Sequence, residues 1–197
     1  MIAAARHPLT AALLVLGMAF ATPGIAAVPP EPNTQVPMGQ LAYQPGPAPD
    51  RIVVSPLADA ATGFAVSWRT DASVQSPVLE LAPQGDSPAF AAARRITAST
   101  QVLRSETGIA HYHHARVEGL SADTAWLYRV QGKDRWSSWN RVVTAADAQT
   151  PLTLLYFGDT QNKNVSHVTR VIRQAMRQAP QAQLALFAGD LVSGGDG

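Results

Sequence analysis

Apolar and polar positions along this chain follow two periods, one after the other. Phe64, Val66 and Trp68 alternate with Ala65, Ser67 and Arg69, the two-residue period of a strand with one face buried. Further strand-like runs are Pro77–Leu81, Ile96–Leu103, Tyr112–Leu120, Thr124–Val130 and Asn140–Thr144. Turn residues separate them at Asp71-Ala72-Ser73, Gln84-Gly85-Asp86, Ser121-Ala122-Asp123 and Gly132-Lys133-Asp134. Ala89–Arg95 is Ala-rich, and a short helical turn there is the alternative to a strand. Short strands at this spacing predict a β-sandwich over residues 51–145.

From Pro151 the period changes. Leu152–Phe157 and Leu184–Ala188 are short apolar runs, and Val165, Val168, Ile172, Ala175, Met176 and Ala179 between them recur at helical spacing. Asn164 is the expected N-cap and Pro180 the stop. Two strands with one helix between them predict a parallel β-α-β unit. A lone unit cannot cover both faces of its sheet, so residues 151–197 are expected to be the incomplete start of an α/β domain. The fold class expected is therefore an all-β sandwich followed by that α/β start.

Composition adds a compartment. Residues 1–27 contain no acid, carry Arg6 and His7 ahead of an apolar run from Leu9 to Phe20, and end in small residues. That is the layout of a signal peptide, with cleavage expected after Ala26 or Ala27. The expected location is periplasmic or secreted, with no membrane attachment after cleavage. Residues 28–50 are proline-rich and are expected to be an extended linker. There are 15 basic and 14 acidic residues, so no basic face argues for nucleic acid. With no cysteine, disulfides are excluded and stability must come from core burial or bound metal.

Candidate chemistry sits at the ends of the two apolar runs. Each is followed by Gly-Asp: Gly158-Asp159-Thr160-Gln161 and Gly189-Asp190-Leu191-Val192. Ligands of open α/β sheets bind at the C-terminal ends of the strands, and neighbouring strands run about 4.8 Å apart. Two carboxylates there can converge on one cation, or on a pair. A carboxylate on a buried strand end is costly without a cation or hydrogen bonds. Each Asp could instead cap the segment that follows it. His111 and His113 share one strand face while His114 points the other way; two such ligands do not close a zinc site, and a sheet-surface or domain-interface position is expected. His167 is expected to be a solvated residue of the first helical turn that could approach a phosphate. Trp136 and Trp139 are expected to be the most exposed of the four tryptophans.

Phe157-Gly158-Asp159-Thr160-Gln161 followed by Ala188-Gly189-Asp190-Leu191-Val192 resembles the first two blocks of calcineurin-like metallophosphoesterases. His111–Leu120, Thr124–Val130, Val66–Asp71 and Trp136–Trp139 resemble the fibronectin type III-like N-terminal domain of purple acid phosphatases, a branch of that family. The resemblance implies two divalent or mixed-valence metal ions (Fe, Zn or Mn), with Asp159 on one ion, Asp190 bridging both and further ligands downstream. Gln161 stands where many members carry His and would ligate weakly. No Tyr follows Asp190, so an iron–tyrosinate centre is not implied. Trp126 replaces the Tyr usual at the sandwich corner with Leu120 and Thr124. The function implied is an exported phosphoesterase acting on a small phosphate ester, of which these 197 residues are expected to be an inactive N-terminal fragment. A non-catalytic secreted binding module, and a phosphodiesterase or pyrophosphatase on the same fold, remain alternatives.

Overall fold

Two four-stranded antiparallel sheets face each other across a core centred on Trp68, in a computed structural model that describes residues 44–85, 90–105, 108–161 and 163–191. The leader and most of the linker lie outside the described residues. Strands are β1 (Asp50–Pro56), β2 (Phe64–Asp71), β3 (Val78–Pro83), β4 (Arg94–Thr97), β5 (Ser99–Ser105), β6 (Gly108–Val117), β7 (Ala125–Val130) and β8 (Asn140–Val143). One sheet has the order β1-β2-β6-β5, the other β4-β3-β7-β8. The chain changes sheet three times, after β2, β4 and β6.

Alternation explains the core. Phe64, Val66 and Trp68 of β2, with Ala115 and Val117 of the neighbouring β6, face Leu79 and Leu81 of β3 and Tyr128 and Val130 of β7, all buried. The rings of Phe64 and Tyr128 lie 6.1 Å apart across it. Burial raises the Tyr128 phenol pKa. Trp68 Nε1 donates to the carbonyl of Gln131 at 3.1 Å, which satisfies the one polar atom of a fully buried indole.

Several expectations are corrected. Ile96–Leu103 is not one strand but parts of two, because the chain crosses between sheets at Ala98, whose N–H donates to Pro77. Strand β1 was not anticipated as a strand. The short helical turn is a 3-10 turn at Phe90–Ala92. The end of the proline-rich segment is docked rather than extended away: Asp71 N–H donates to Gly46 O and Lys133 N–H to Pro47 O. Gly132 makes this approach possible, since a Cβ there would sit 2.5 Å from the Pro47 carbonyl. Asp50 completes the dock through two bonds to Arg69, Nε–Oδ1 at 2.8 Å and Nη2–Oδ2 at 2.6 Å. Arg69 is 3% exposed, and this carboxylate raises its pKa.

At the corner between β6 and β7, Trp126 Nε1 is buried without a hydrogen-bond partner. Thr144 takes over the polar link. Its hydroxyl donates to Ser121 O at 2.6 Å and accepts from Thr124 N–H at 3.0 Å.

Downstream, β9 (Leu154–Phe157) and β10 (Leu184–Phe187) pair in parallel, in register from Leu154↔Leu184 to Phe157↔Phe187. A π-helical turn (Asn164–Val168) leads into α1 (Thr169–Gln178). Ile172 and Met176 of α1 and Leu155 and Phe157 of β9 line a shared cleft with Phe187. On the opposite sheet face Leu154, Tyr156 and Leu186 are exposed. No helix among the described residues is long and apolar enough to cross a membrane.

Candidate metal centre

Register places both Gly-Asp dipeptides at one end of the small sheet. The ladder continues one step past the strands, Ala188 N–H donating to Phe157 O at 2.8 Å. Beyond it the chain leaves both strands through left-handed backbone: Asp159 has φ 54°, Gly189 89° and Asp190 46°. Asp is one of the few L-residues that enter this region readily. Both carboxylates emerge exposed at the C-terminal edge, while Thr160 between Asp159 and Gln161 is buried.

Gln161 is drawn to the first carboxylate. Its Nε2 donates to Asp159 Oδ1 at 2.9 Å, so the amide holds the carboxylate in place. Asn164 is not the N-cap. Lys163 occupies that position in left-handed backbone (φ 52°, ψ 44°), with no side-chain cap bond. Asn164 opens the π turn instead, and its Nδ2 donates to Leu191 O at 3.1 Å. Sequence reasoning missed this link, because a side chain reaching a carbonyl 27 residues away leaves no mark in local pattern. His167 is exposed on the π turn and hydrogen-bonds Ser166 Oγ through Nδ1 at 2.8 Å.

Chemically, Asp159, Asp190 and the amide oxygen of Gln161 are hard oxygen donors, which suit a divalent cation. Among the described residues no three His, Asp or Glu side chains gather to hold one.

Two of the sandwich histidines, His111 and His113, are not surface residues. His111 and His113 face the interior, 6% and 0% exposed. His113 Nε2 bonds Thr70 Oγ1 at 2.7 Å and Nδ1 bonds Thr100 Oγ1 at 2.8 Å. Each threonine hydroxyl also reaches a carbonyl, Thr70 to Asp71 O at 3.0 Å and Thr100 to Gln75 O at 3.5 Å, and the shorter of these favours Nε2–H donating to Thr70 with Nδ1 accepting from Thr100. Both nitrogens of the neutral ring are thereby satisfied. Burial first, then the neighbouring His111 and His114, lower the His113 pKa to about 4. His111 Nδ1–H donates to Val74 O at 2.8 Å, and His114 lies outside, bonded to Ser67 Oγ at 2.8 Å.

Trp136 and Trp139 are half-buried in a ladder rather than free. The Arg129 guanidinium lies over both rings, 4.5 and 4.7 Å from their centroids, Arg95 covers Trp136 at 5.7 Å, and Phe90 stacks on Trp139 at 4.4 Å. Glu80 binds both arginines, at 3.1 Å to Arg95 and 2.7 Å to Arg129. Each indole therefore has two close neighbours, one of them the shared Arg129 guanidinium.

Comparisons with known proteins bear on the sandwich. Residues 49–144 match the family model described as "Purple acid Phosphatase, N-terminal domain". No curated protein matches. Among solved structures, the FN1–FN3 domains of chicken CNTN1 are similar at 20% identity and a TM-score of 0.38, over 51% of this chain and 33% of that one.

Proposed function

We propose, from a chain whose residues 49–144 match the family model of the purple acid phosphatase N-terminal domain, that the Gly-Asp loops following it begin a metal-dependent phosphoesterase centre. The observation that supports this reading is the placement of Asp159 and Asp190 at the same end of two register-matched parallel strands, directly downstream of a domain associated with phosphatases. The substrate is a small phosphate ester and the protein is exported.

Asp159 and Asp190 would hold the metal ions, with Gln161 as an auxiliary oxygen donor or as the group that orients Asp159. When bound, such ions supply Lewis acidity at a phosphoryl oxygen. The chain's own contribution is to project two carboxylates from rigid strand ends and to fix the first through the Gln161 amide. Two carboxylates and an amide fall short of the six or more oxygens a hard cation takes. The remaining positions belong to water, substrate and other residues of the domain.

The test is a metal and turnover series on the full-length protein. Asp190→Asn is expected to lose metal from both positions and to be the most damaging. Asp159→Asn mainly empties one position. Gln161→Ala is the mildest, at about 10–100-fold in affinity or activity. Metal content per protein and hydrolysis of an aryl phosphate are measured together. An Asp190→Asn protein that keeps two metals and normal turnover replaces this reading with one in which the aspartates only cap their loops.

A further inference from the structure

We infer that Asn164 is a positioning residue of the metal centre, a strut that fixes the Asp190 loop relative to the Asp159 loop. The inference rests on the metallophosphoesterase reading above. Asn164 follows the Asp159 loop in sequence, and Leu191, whose carbonyl receives its Nδ2–H, follows Asp190 directly. A single side chain thus connects the two segments that carry the carboxylates.

The π turn is what presents it. His167 N–H donates to Lys163 O at 2.8 Å, and Val168 N–H reaches the same carbonyl at 3.4 Å. Thr169 then holds the Asn164 carbonyl through both its backbone N–H and its Oγ1, the latter at 2.7 Å. The main chain of Asn164 is therefore pinned to the start of α1, and its side chain is left to reach across to Leu191. Inserting an extra residue in a helical turn re-aims the side chains there, and such turns recur at functional sites. The second loop needs a strut because Gly189 and Asp190 are both in left-handed backbone beyond the last ladder bond. Converging carboxylates bind a cation well only when their separation is already set.

The experiment uses the full-length protein and Mn²⁺ alone as probe. Wild type, Asn164→Ala and Asn164→Leu are titrated calorimetrically with Mn²⁺, and amide exchange is followed in Leu184–Phe187 and at Leu191. The leucine keeps the size of the side chain without its donor. Both variants are expected to bind Mn²⁺ about 10–100-fold more weakly, with faster exchange at Leu191 and unchanged protection in Leu184–Phe187. Wild-type affinity in either variant, with the strand protected, overturns the strut and leaves the metal reading intact. Loss of strand protection in step with affinity makes Asn164 a general stabiliser, which also overturns it. A wild-type chain whose strand is protected but which shows no saturable Mn²⁺ binding overturns the metal reading itself. An unprotected strand in wild type removes the geometry on which the strut depends.

Discussion

His113 and Trp68 are register partners on β6 and β2, and their rings lie 5.3 Å apart, tilted by 49°, in the middle of the sandwich. The imidazole is enclosed and neutral, with a threonine hydroxyl on each nitrogen and His111 edge-on at 6.1 Å.

A pH dependence follows. An unfolded histidine titrates near 6.5, whereas His113 in the folded chain titrates near 4. Between those values the unfolded chain binds a proton that the native chain does not. The stability tied to the neutral ring is therefore complete above pH 6.5, falls as pH drops towards 4, and is flat below. The size is on the order of 3 kcal/mol. Urea midpoints measured from pH 7.5 to 4 are expected to fall in wild type. His113→Gln should be less stable at neutral pH and lack this segment of the slope.

Arg129 is expected to be the most sensitive member of the aromatic ladder. Arg129→Ala removes the closer of the two arginine partners of Glu80, which is nearly buried, together with the cation over two indoles. A loss of about 2 kcal/mol is expected from the ion pair and the cation–π contacts together. Arg129→Lys should restore little of it, because an ammonium cannot lie flat over two rings and also fork onto a carboxylate. Denaturant unfolding followed by tryptophan fluorescence reads both stability and the ladder.

The docked segment before β1 is expected to be part of the folding unit. Asp50→Ala takes the carboxylate from the buried Arg69 guanidinium and should cost about 1–3 kcal/mol, less than a fully buried pair because Asp50 is 44% exposed. Gly132→Ala should be destabilising by a comparable amount through its collision with Pro47. Thermal unfolding of both variants checks this, and a pair of unchanged midpoints would show that the segment merely rests on the sheet.

How far the fold was legible varied with burial. Strand β2 announces itself by alternation because one face is in the core, whereas β3, β7 and β8 are legible as short runs set off by turn residues. Strand β1 does not: it lies at a sheet edge, holds its second residue, Arg51, at φ 49°, and exposes both Val53 and Val54. The interior position of His111 and His113 was readable after all, since they share a face with Ala115 and Val117. Residue type outweighed period there. For the candidate centre, the strand ends carrying Asp159 and Asp190 followed from the apolar runs and the crossover helix. The Asn164 bond did not, because it depends on a π turn that adds a residue without disturbing the apolar stripe of α1.

Strands β1 to β8 occupy one uninterrupted stretch, Asp50 to Val143, and every strand pairing of the sandwich falls within it. On a ribosome the last strand of that core has been made before β9 begins. At about 5–20 residues per second, β10 follows on the order of seconds later. Every strand the sandwich needs therefore precedes the strands that carry Asp159 and Asp190, so its closure does not wait on them.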